Sequence, residues 1–145
     1  MGEVRWINNT DSSFHSATLT TDGLPGVFPA SLPLPLGYKD QWVYIAGADV
    51  QLDDHWRLSL GYHYGTQPVS NANLLPIVDG IVTHHITTGL IYEQDQWWVG
   101  GGYILGLPHV LSGNGESPFP APNDYASGRI SQTQHNLFFG FGFAW

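Results

Sequence analysis

Cysteine is absent from the 145 residues, which excludes a disulfide scaffold and any thiolate metal site. That absence is compatible with an oxidising compartment without fixing one. Charge is scarce, with Asp, Glu, Lys and Arg making up 11% of the chain. Positive charge is scarcest: 4 Lys and Arg stand against 12 Asp and Glu, for a net charge of -8. Nucleic acid is a poor partner for such a chain, because it calls for a basic patch. No apolar run reaches the ~18 residues of a membrane helix. The opening residues, MGEVRWINNTDSSF, contain no apolar segment of the signal-peptide kind.

Aromatics, by contrast, reach 14%, and Gly (18) and Pro (10) are abundant. The length allows one domain. The most informative stretch is the last, SQTQHNLFFGFGFAW. There Thr133, His135, Leu137, Phe139, Phe141, Phe143 and Trp145 alternate with Gln132, Gln134, Asn136, Phe138, Gly140, Gly142 and Ala144. Period two is a β-strand with one large apolar face and one small or polar face. A strand whose outer face meets lipid accounts for that contrast. An edge or core strand of a soluble sandwich is the other reading of this stretch alone.

The same alternation recurs upstream. Val4 and Trp6 oppose Glu3 and Arg5, and Phe14 to Thr20 reads as a resumption of that strand after a bulge at Asn8, Asn9 and Thr10. Thr21 to Gln41 carries Pro25, Pro29, Pro33 and Pro35, so neither helix nor ladder is expected there. Trp42 to Leu52 is a strand with Trp42, Tyr44, Ala46, Ala48, Val50 and Leu52 on one face. Trp56 to Gly65 answers it, with Trp56, Leu58, Leu60, Tyr62 and Tyr64 outward. Keeping Leu52 and Trp56 on one face requires an odd loop, Asp53-Asp54-His55, and sets Arg57 opposite Gln51 and diagonal to Asp49. Thr66 to Val82 is a long loop broken by Pro68 and Pro76. Thr83 to Glu93 and Trp97 to Leu107 are strands about a tight turn at Gln94-Asp95, with Pro108 expected to end the pairing. Val110 to Ile130 is the last long loop.

The expected fold class is therefore all-β, an antiparallel up-and-down meander of six strands over residues 1–145. Long and short connections alternate, as the external loops and periplasmic turns of outer-membrane barrels do. Trp42, Tyr44, Trp56, Tyr62, Tyr64, Tyr92, Trp97 and Trp145 fall near strand ends, where interfacial girdles form. Six strands are fewer than the ~8 at which single-chain barrels begin, and an open sheet would leave two edges unpaired in lipid. The expectation is a C-terminal segment of a larger barrel, lacking the plug and signal peptide, or else a chain that assembles with copies of itself.

The ordered set GEVRWINNTDSSF, DQWVYIAGADVQLDDHWRLSLGYHYGTQPV and HHITTGLIYE, with a last strand ending on an aromatic, resembles the C-terminal part of the FadL family. Its most telling pieces are Trp6, the Trp56-Arg57-Leu58 to Gly61-Tyr62 strand followed by Gln67-Pro68-Val69, and the His84-His85 to Gly89 strand. The resemblance spans essentially the whole chain, and implies the last six strands of a barrel of about fourteen, an even count within the range such barrels use. It implies an outer-membrane transporter of a Gram-negative bacterium, moving long-chain fatty acids or other hydrophobic small molecules by diffusion. The partners are that molecule, outer-membrane lipid, and the rest of the barrel. Neither the N-terminal plug nor the early kinked strand of that family has a counterpart in the chain.

Candidate site residues are few. Arg5 and Arg57 point inward and would suit a fatty-acid carboxylate; alternatively each sits in an ion pair, Arg5 with Glu3 and Arg57 with Asp49. His63 and His85 are inward and lumen-lining. His84 and His85 face opposite ways and cannot chelate together, so no metal and no cofactor is expected. Catalysis is not expected either. Ser59 and His63 lie about 13 Å apart along one strand, too far for proton transfer, and no G-x-S-x-G occurs. A soluble or surface β-sheet module binding a hydrophobic ligand is the alternative function, with an outer-membrane lipid-processing enzyme behind it. The apolar loop residues Leu24, Val27, Phe28, Leu32, Leu34 and Leu36, or Leu74, Leu75 and Ile77, are consistent with a landing groove for a ligand or with a lid.

Overall fold

The computed structural model describes residues 1–12, 17–20, 31–34, 36–74, 80–116 and 126–143. Its strands are β1 (Gly2–Ile7), β2 (Ala17–Thr20), β3 (Ser31–Leu34), β4 (Gln41–Gln51), β5 (Trp56–Gly65), β6 (His84–Gln94), β7 (Trp97–Ser112) and β8 (Arg129–Phe143). β1, β4, β5, β6, β7 and β8 form one six-stranded antiparallel sheet in chain order, and β2 and β3 form a separate two-stranded ribbon. The chain is thus all-β, with a six-stranded meander as expected.

Alternation decides the faces. Direct partners in an antiparallel ladder share a face. Trp6 pairs with Trp42 and Val4 with Tyr44. Tyr44 pairs with Tyr64, Ala48 with Leu60 and Val50 with Leu58. Leu90 and Tyr92 continue these rows on β6, Val99 and Tyr103 on β7, and Leu137, Phe139 and Phe141 on β8. The result is one continuous apolar face. It is open: Phe139 is 84% exposed, Phe141 75% and Leu137 72%.

The β4–β5 turn behaves as its length demands. Gln51 pairs with Arg57, and the Leu52 amide donates to the Trp56 carbonyl. Asp53 holds the turn, accepting from the amides of His55 at 2.8 Å and Trp56 at 2.9 Å. These two bonds, His55 first, keep the Asp53 carboxyl below its usual range. At the next short connection Gln94 pairs with Trp97 across Asp95 and Gln96.

Three expectations are corrected. β1 does not resume through a bulge into Phe14 to Thr20. Asp40 accepts from the amides of Asn9 and Thr10 at 3.0 and 3.1 Å, which turns the chain out of the sheet. β2 then pairs with β3 instead, Thr18 opposite Pro33, while Phe14 lies outside the described residues. Part of Thr21 to Gln41, the strand Ser31–Leu34, therefore does join a ladder. Both strands of a two-stranded ribbon are edges, and an edge tolerates proline. Finally, Pro108 does not end β7. It falls in a register shift between Gly106 and His109, after which His109 pairs with Gln132 and Leu111 with Ile130. One extra residue on β7 reverses its parity, so Leu111 turns to the face opposite Phe139 and Phe141.

That reversal builds the core. Leu111 is buried with Val69, Leu74 and Ile81, and Leu36, Tyr38 and Ile130 pack against them. The cluster joins the connection after β5 to the far ends of β7 and β8, and caps that end of the sheet. Leu74 and Leu36 thus pack into the cap. Leu24, Val27, Phe28, Leu75 and Ile77 lie outside the described residues, as do Trp145 and Ala144.

Candidate functional site

The face opposite the apolar one is mixed, and register lays it out in rows. Ile45, His63, His85, Gly106 and Gln134 form one row; Gly47, Gly61, Thr87, Ile104 and Asn136 form the next. Asp49, Ser59, Gly89, Gly102 and Phe138 form a third, and Gln51, Arg57, Ile91, Gly100 and Gly140 a fourth. Glu93, Trp98 and Gly142 follow. Glycines make room here for two aromatic rings. A side chain at Gly102 would meet the Phe138 ring at 2.1 Å, and one at Gly142 would meet the Trp98 ring at 2.3 Å. Beside these rings lies a trough of about 360 Å³ lined by Ser59, Thr87, Ile91, Trp98 and Phe138. A second depression, about 300 Å³, adjoins it through Ser59 and Thr87 and reaches His63.

The arginines on this face are paired. Arg5 binds Glu3 at 2.6 Å, as one of the two sequence readings has it. Arg57 binds Glu93 and not Asp49. Because Arg57 sits opposite Ile91 on β6, Glu93 is its diagonal neighbour on the same face. Asp49 instead accepts a hydrogen bond from the Ser59 hydroxyl. Both ion pairs are partly exposed.

The two histidines meet. His63 and His85 are direct partners, with ring centroids 5.0 Å apart and planes 15° from parallel. His84, on the opposite face, shares a hydrogen bond with the Tyr62 hydroxyl at 2.6 Å, so the adjacent histidines do point apart. His85 Nε2 donates to Gln134 Oε1 at 3.3 Å. His85 Nδ1, His63 Nε2 and both amide atoms of Gln67 are buried without a hydrogen-bond partner among the described residues. A cavity of about 330 Å³ opens next to His85, lined by Ile7, Tyr38, Gln41, Pro68, Val82 and Gln134 among others. Among the described residues no group of three His, Asp or Glu side chains could hold a metal ion.

The structure thus brings Arg5, His63 and His85 toward the capped end of one face, and Asp49 and Arg57 toward the other end of the same face. Glu93, Gln67, Gln41 and Gln134 are site residues that sequence reasoning did not single out. Glu93 carried a signal, since it is inward-facing in the period-two reading of β6. The glutamines carried none, because their roles depend on how the connection after β5 folds. Comparison with protein-family models, with curated proteins and with solved structures finds no match.

Proposed function

We propose that the chain is the wall of an outer-membrane β-barrel that lets hydrophobic molecules, such as long-chain fatty acids, diffuse across. The observation that carries this reading is the open apolar face running unbroken over six strands. Leaving Leu137, Phe139, Phe141 and Phe143 in water forgoes roughly 1.5–3 kcal/mol each, while whole domains are stable by only about 5–15 kcal/mol. Lipid against that face removes the cost. Strand length supports the reading: β4, β5 and β6 have 11, 10 and 11 residues, matching the ~9–11 of a membrane-crossing strand. So do the aromatic clusters at both ends of the apolar face. Trp56 stacks edge-on against Tyr92 at 5.0 Å and Tyr92 lies 5.3 Å from Trp97 at the short-turn end. Tyr44 and Tyr64 stack at 6.1 Å toward the capped end. These are the positions of interfacial girdles.

Among the described residues, β1 and β8 each have one unpaired edge in the sheet. Unpaired backbone is not tolerated in lipid, so further strands complete the wall, supplied by the rest of a larger barrel or by copies of the chain. The mixed face then lines the passage, and no bond is made or broken in transport. Fractionation tests this. An antibody against Ser131 to Phe143 should mark the outer-membrane fraction of the source cell, and vesicles holding the completed barrel should admit radiolabelled oleate. A band confined to the soluble fraction contradicts the proposal and favours a soluble sheet that binds a hydrophobic ligand in the trough beside Trp98 and Phe138.

A further inference from the structure

At the capped end of the mixed face, His63 and His85 stand side by side, each with a buried ring nitrogen that has no hydrogen-bond partner among the described residues. His85 Nε2–H donates to Gln134, so His85 Nδ1 carries the ring's lone pair, and that atom is buried and unpartnered. His63 Nε2 is unpartnered as well. It lies toward Gln41: a side chain added at Gly65 would sit 3.7 Å from His63 Nε2 and 2.7 Å from Gln41 Nε2. Gln67, two residues after Gly65 in the chain, has a buried donor and a buried acceptor with no partner among the described residues. Buried polar groups nearly always find partners, and an unmet one costs about 1–3 kcal/mol. The adjoining cavity of about 330 Å³ has Ile7, Pro68 and Val82 in its walls, so it also suits an apolar body.

Charge decides what the head of that ligand is. The two arginines of this face are already held by Glu3 and Glu93. A carboxylate only accepts hydrogen bonds and has no hydrogen to give His85 Nδ1. A hydroxyl or primary amide both gives and accepts. We infer that this site binds the uncharged hydroxyl- or amide-bearing end of a hydrophobic molecule, in preference to the carboxylate of the same chain length. The inference rests on the channel reading only for how the ligand arrives.

The test is isothermal titration calorimetry of the full chain in detergent micelles at about pH 7.5. The titrants are 1-octanol, octanamide and octanoate, with micelle-only blanks subtracted. Octanol and octanamide should bind about tenfold more tightly than octanoate, the factor expected for one buried hydrogen bond left unmet. His85→Phe keeps a ring and removes its nitrogens; it should weaken octanol about five- to tenfold and leave octanoate unchanged. If circular dichroism shows that variant unfolded, the wild-type ranking decides, with Gln67→Leu as the second variant. Octanoate binding as tightly as octanol, or no binding by any of the three, overturns the inference. Flotation of the same preparation with vesicles reports separately on the channel reading. A chain that floats but prefers octanoate sinks only the inference. One that prefers octanol but does not float sinks only the channel.

Discussion

Phe138 lies where a side chain at Gly102 would go, 2.1 Å from an added Cβ. Gly102→Ala must therefore evict the ring, at a cost of about 1–3 kcal/mol in urea unfolding, and Phe138→Leu in the same chain should recover much of it. Gly61→Ala is the control, since its Cβ would meet Thr87 at an ordinary 3.5 Å; its effect should be the smaller. The Arg57–Glu93 pair is half-exposed, so a double-mutant cycle should give a coupling of at most about 1 kcal/mol. Asp53 has a pH signature. Its folded pKa is lowered by the amides of His55 and Trp56. Its contribution is thus present above the ordinary carboxylate range and lost as pH falls through the folded value. Asp53→Ala should lower the urea midpoint at about pH 7, and the difference from the parent chain should vanish near pH 2. At this scale the sequence displayed the alternation of glycines and aromatics. It did not display which ring covers which glycine, because that depends on pairing between β7 and β8 across a long connection.

Element register followed the same divide. Asp53-Asp54-His55 is short enough to tie Leu52 to Trp56, so the placement of Arg57 against Gln51 was legible from residue parity. The β5–β6 register is set across residues 66–83, whose length imposes no parity. Arg57 consequently finds Glu93, where the sequence suggested Asp49. Pro108 was legible as a disturbance of β7 but not as a bulge, because only the partner strand determines whether pairing resumes. The bulge makes a sharp prediction. Deleting Pro108 removes the extra residue, turns Leu111 out of the cap and should cost about as much as Leu111→Ala, about 2–5 kcal/mol. Equal stability of the deletion variant and the parent in urea unfolding would show that the parity change is not what buries Leu111.

For the whole molecule, the central question is what covers the apolar face. Among the described residues the buried core cluster sits at the capped end, around Val69, Leu74, Ile81 and Leu111. Most of the described sheet therefore draws little stability from a core of its own, and in the proposed function lipid covers the apolar face. Tryptophans stand on both faces with similar exposure, Trp56 at 38% on the apolar face and Trp98 at 41% on the mixed one. The most direct measurement uses two single-tryptophan chains, one keeping Trp56 and one keeping Trp98, in vesicles of phosphatidylcholine brominated near the headgroup. Lipid on the apolar face predicts strong quenching of Trp56 and several-fold weaker quenching of Trp98. Equal quenching of the two, or a chain that does not associate with the vesicles, would contradict it.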